Sequence, residues 1–61
     1  MFNEGDKVRF IDEYSFDHYG IGVVVGYTLF NPMVKWSGWR VTHEAVESLI
    51  RKLTPLELAL L

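Results

Sequence analysis

The stretch from Ile21 to Trp39 reads I-G-V-V-V-G-Y-T-L-F-N-P-M-V-K-W-S-G-W, and the rest of the chain is organised around it. Two runs rich in β-branched and aromatic residues flank Asn31-Pro32, a pair that interrupts regular structure and favours a turn. The arrangement predicts a β-hairpin, with Ser37-Gly38 as a tight turn into a further strand. In the first arm, Ile21 to Thr28, side chains alternate between faces. Ile21, Val23, Val25 and Tyr27 share one, and Gly22, Val24, Gly26 and Thr28 the other. Glycine inside a strand marks a bulge, a bend or a close backbone approach. Closing a small barrel requires bent strands, so a structural duty is expected for both glycines.

The rest of the chain supplies material to close around that hairpin. After the Gly5-Asp6 turn signal, Lys7 to Ile11 alternates, which predicts Val8 and Phe10 inside with Lys7 and Arg9 outside. Met33 to Ser37 places Val34 and Trp36 on one face, Met33 and Lys35 on the other. Trp39 to His43 reads as a fourth strand and Leu49 to Leu53 as a fifth. Glu44 to Ser48 lacks β-branched alternation and fits one short helical turn of 3₁₀ type. Asp12 to Gly20 mixes acids with Tyr14, Phe16 and Tyr19 without a clean period, and reads as a long loop. Its rings either tuck down to close one end of the barrel or line a binding face.

Thr54 to Leu61 carries the clearest local signal. Thr54 is a good N-cap, Pro55 fits the first helical position, and Glu57 completes a capping box. So short a helix is marginal alone. Leu56, Leu58, Leu60 and Leu61 need a surface, either an open barrel end in the same chain or another subunit or partner.

Composition narrows the function classes. Sixty-one residues make one domain, 1–61, whose folding buries about 60% of the unfolded surface. No cysteine is present, so disulfides and thiolate metal sites are excluded. Six basic against eight acidic residues give a net charge of −2, which does not suggest a phosphate-backbone partner. No apolar run of about 18 residues spans a membrane, and the acidic start Met1 to Asp6 is unlike a signal peptide. A cytoplasmic location is expected. Ser15, Asp17 and His18 are sequence neighbours, but a catalytic triad is defined by geometry, and no catalytic residue is predicted. His18, His43, Asp17 and Glu44 have no diagnostic metal spacing. No metal and no cofactor is expected.

An opening G-D-K-V-R-F strand, a long connection, a glycine-bearing G-V-V-V-G-Y strand, V-K-W, a tight turn and a closing L-I-R-K-L strand together resemble a five-stranded SH3-like barrel. That group includes SH3, Tudor and KOW-type domains, and short phage and plasmid products often look this way. The resemblance covers roughly 4–53, leaving 54–61 as a helical tail. Gly5 to Arg9, Val25 to Tyr27 and Glu44 to Ile50 also resemble segments of the plasmid-borne type II dihydrofolate reductases. Their V-Q-I-Y strand motif is absent, because Trp39-Arg40-Val41-Thr42 lacks the glutamine and tyrosine. No activity is carried over.

The barrel resemblance implies a binding module. In Tudor-like domains rings from the first connection and the central strands form a groove, which here means Tyr14, Phe16, Tyr19, Trp36 and Trp39. Asp12, Glu13 and Asp17 beside them favour a basic peptide. The competing arrangement has Trp36 facing inward with Val34 while Trp39 closes the turn. The expected function is a non-enzymatic protein-interaction module, such as a phage-type accessory or inhibitor protein, with self-association through the leucine-rich tail. The alternative is a KOW-like nucleic-acid-binding barrel using Lys7, Arg9, Lys35, Arg40 and Lys52.

Overall fold

A computed structural model describes residues 1–39 and 41–61. Five antiparallel strands form one sheet: β1 (Lys7–Phe10), β2 (Gly22–Tyr27), β3 (Pro32–Trp36), β4 (Thr42–Glu44) and β5 (Ile50–Lys52). Their order across the sheet is β4-β3-β2-β1-β5, so β1 lies between β2 and the last strand. Helix α1 (Glu13–Tyr19) follows β1, a 3₁₀ turn (Glu47–Leu49) leads into β5, and helix α2 (Pro55–Ala59) ends the chain. The expected fourth strand from Trp39 to His43 is instead centred later, and Arg40 lies outside the described residues.

The sheet does not close on itself. Among the described residues β4 and β5 are its two edges and do not pair with each other. Each has three residues, about 10 Å of strand, which leaves little length for a closing ladder.

The core lies on one face. Val8, Val24, Val34, Trp36, Ala45 and Ile50 form the buried cluster, with Phe2, Phe10 and Tyr19 packed against it. Val34 and Trp36 point inward together, and the register Val24↔Val34↔His43 carries that face across three strands. Trp36 is only 1% exposed, so of its two expected placements the inward one is observed. Gly22 stands opposite Trp36. A Cβ there would collide with the Val34 side chain and come within 2.6 Å of the Trp36 ring. The indole therefore fits because position 22 has no side chain. Gly26 adjoins the register shift in β2 and has open space around it.

Two expectations are corrected at β1. Asp12 to Gly20 is a helix with caps rather than a loop. The Ser15 N–H donates to Asp12 Oδ2 at 2.8 Å, and Gly20, at φ 74°, ends the helix by donating to the Phe16 carbonyl at 2.8 Å. Arg9, expected outside, is only 7% exposed. Its guanidinium lies 3.9 Å from the centre of the Phe16 ring and bonds Glu13 at 2.8 Å, while Nε donates to the Phe10 carbonyl. The face of β1 turned away from the core is thus covered by α1 at Arg9.

Helix α2 forms as its capping signal predicts. Glu57 N–H donates to Thr54 Oγ1 at 3.1 Å, and Thr54 N–H donates to Glu57 Oε1 at 2.7 Å. The same carboxylate receives both terminal nitrogens of Arg51, at 2.8 and 2.9 Å. Glu57 therefore caps the helix and clamps it to β5. The leucines do not cover an open end of the sheet: Leu56, Leu58, Leu60 and Leu61 are all exposed, and α2 buries none of its residues.

Candidate functional site

The sheet is covered unevenly. At the β1–β5 end the outer face carries Arg9 and Arg51, tied to Glu13 and Glu57. At the β2–β3 end that face is open, and a groove of about 280 Å³ runs along it. Ile21, Val23 and Val25 line one side; Lys35, Trp36, Ser37 and Trp39 complete it, Trp36 while its ring stays in the core. Because Gly22 and Val24 turn inward toward Trp36 and Val34, alternation puts Val23 outward, and Val25, at the register shift, is 44% exposed beside it.

Trp39 forms the rim and is held there. The Trp39 N–H donates to the Trp36 carbonyl at 3.1 Å, closing the Ser37-Gly38 turn. That turn is tied to the end of α1, since Gly38 N–H donates to the Tyr19 carbonyl at 3.1 Å. The Trp39 ring stacks on Tyr19 at 5.3 Å and 24°, and meets His18 and His43 edge-on at 5.6 and 5.3 Å. His43 Nε2 is buried with no hydrogen-bond partner among the described residues. With three rings around it, Trp39 remains 37% exposed: an aromatic surface fixed before any ligand arrives.

Of the five aromatics expected to bind together, the structure brings Tyr19 and Trp39 to one place. Trp36 belongs to the core. Phe16 is occupied under Arg9, and Tyr14 points into solvent from α1. Two of the three acids expected to attract a basic peptide are used elsewhere, since Asp12 caps α1 and Glu13 bonds Arg9, while Asp17 is exposed on α1. The hydrogen bond from Ser15 N–H holds the Asp12 carboxyl below its ordinary value. The cationic stripe expected for nucleic acid is dispersed. Arg9 is buried, Lys52 pairs with Asp6 at 3.3 Å, and Arg40 lies outside the described residues, leaving Lys7 and Lys35 exposed.

No protein-family model, curated protein or solved structure matches the chain. What the site can do rests on its own geometry. Among the described residues no group of three or more histidines and carboxylates is placed to hold a metal ion, and no helix is long and apolar enough to cross a membrane.

Two features escape a reading of the sequence alone. One is the exposure of the strip Ile21, Val23 and Val25, whose shared face alternation gives; its signal is that both faces of β2 carry β-branched residues while only one faces the core. The other is the turn between β2 and β3, which exposes Leu29 and Phe30. That turn is braced: Thr28 N–H donates to the Asn31 carbonyl at 2.8 Å, Thr28 Oγ1 accepts from Asn31 N–H at 3.0 Å, and Asn31 Nδ2 donates to Glu44 at 2.8 Å. Large apolar residues inside a polar-framed turn were the available signal.

Proposed function

We propose that this chain is a non-enzymatic protein-interaction module of the SH3-like barrel class, docking a partner protein on the outer face of the β2–β3 hairpin. The fold assignment is supported by β1 lying between β2 and β5 and by the 3₁₀ turn that leads into β5. The observation that carries the docking reading is the open apolar groove rimmed by an immobilised Trp39. Contiguous exposed apolar surface marks contact sites, and tryptophan is enriched among the residues that dominate binding energy. Leu29 and Phe30, displayed on a braced turn, add apolar anchors whose ordering cost is met by the fold.

The test compares two baits, the wild-type chain and Val25→Asp, in extracts of the source cell or its host. Val25 is on the outer face, so the variant keeps the wild-type circular dichroism. A protein retained by the wild type and lost with the variant supports docking at the groove; equal retention, or none, contradicts it. Salt titrations against single- and double-stranded DNA and RNA run beside it. Micromolar binding that collapses between low and moderate salt would replace this reading with the nucleic-acid one.

A further inference from the structure

We infer that the groove selects a partner segment that is both apolar and acidic, an inference that rests on the docking function proposed above. Along one cross-sheet row the register aligns Lys7, Val23, Lys35 and Thr42 on the outer face. Val23 in the groove is thus flanked by two lysines. Strands lie about 4.8 Å apart, so the two lysine backbones are separated by about 10 Å, within reach of two carboxylates on one extended peptide. Both lysines are exposed, and the ion pairs among the described residues engage Arg9, Arg51 and Lys52 instead.

Four of the eight acidic residues are committed elsewhere. Asp6 accepts from Asn3 N–H at 2.7 Å and pairs with Lys52. Glu44, also on the outer face, turns to Asn31 and Thr28. Glu13 and Glu57 serve the two arginines. A chain of net charge −2 thus presents two exposed lysines on either side of an apolar strip. A neutral segment would fill the strip and leave both ammonium groups unmatched. A basic one would meet like charge. An acidic one matches strip and lysines together.

The probes are three capped hexapeptides of leucine and valine containing two glutamates, two glutamines or two lysines. Each is titrated into the full ¹⁵N-labelled chain and followed by NMR. The glutamate peptide shifts the amides of Val23, Val25 and Lys35 and the Trp39 indole N–H. It binds about tenfold more tightly than the lysine peptide at low salt, as two exposed charge contacts warrant. That preference shrinks at 0.15 M salt, where the screening length is about 8 Å, and disappears in Lys7→Gln/Lys35→Gln. Equal affinity of all three peptides at these residues overturns the charge preference and leaves the docking reading standing. Absence of shifts at these residues with every peptide overturns both. Concentration-dependent shifts there without peptide would mean that a second copy fills the groove, which also overturns the inference.

Discussion

At the scale of single residues, one inward face decides whether the chain folds. Trp36 stacks on Phe10 at 4.6 Å and lies against the space left by Gly22. Trp36→Ala is expected to cost about 3–5 kcal/mol, comparable with the whole stability of so small a domain, so urea denaturation should find it largely unfolded. The two β2 glycines are predicted to part company. Gly22→Ala drives a methyl into Val34 and Trp36 and should cost about 1–3 kcal/mol. Gly26→Ala meets open space and should be neutral or gain up to about 0.5 kcal/mol. Urea midpoints shifting the same way for both would refute that contrast. Alternation made the inward pair Val34 and Trp36 legible in the sequence. It misplaced Arg9, because what covers Arg9 is Phe16, seven positions on and in another element.

Among the elements, α2 was legible and α1 was not, for a physical reason. Helix α2 announces itself through local chemistry, a capping box that needs only Thr54 and Glu57. Helix α1 has no clean apolar stripe, since its contacts with β1 run through Phe16 to a cation and through Tyr19 to Phe10 at 5.1 Å. Its readable signals were the cap Asp12, the acid Glu13 behind it and the stop at Gly20. Asp12→Ala should therefore lower the urea midpoint.

The carboxylates of these elements also set the acid response. Arg51 and the Thr54 N–H hold Glu57 at about 2, well below its ordinary 4.5. A depressed carboxyl contributes fully above its unfolded value and loses that contribution as pH falls through its folded one. The contribution of Glu57 is thus complete above pH 4.5 and fades toward pH 2. Asp6 and Asp12, each held below 3.8 chiefly by a backbone N–H, act in the same direction. The urea midpoint should fall across that window, and Glu57→Gln should flatten the fall while lowering stability at pH 7. An unchanged pH slope in the variant would mean that the clamp on β5 does not operate.

For the whole molecule, the sheet has one face that holds the fold and one that is only half covered. Helix α1 and Glu57 close the outer face over β1 and β5; nothing covers it over β2 and β3 among the described residues. The hairpin around Asn31-Pro32, the five strands and the final helix could be read from the sequence. The open edges could not, because pairing between distant strands leaves no local trace. Nor could the groove, whose openness depends on how α1 and the strands around β2 and β3 pack, with Val23 turned outward by register and Val25 left at a register shift. The exposed leucines of α2 follow the same logic. Replacing Leu56 and Leu60 by serine should change the unfolding free energy by no more than about 0.5 kcal/mol.

Adjacent residues on opposite faces of β2 test this division most directly. Val24 is 0% exposed and Val25 is 44% exposed. Urea denaturation of Val24→Ala and Val25→Ala should show a loss of about 2 kcal/mol for the first and no more than about 0.5 kcal/mol for the second. Equal losses, or the larger loss at Val25, would place the outer face in the core and leave no surface for a partner.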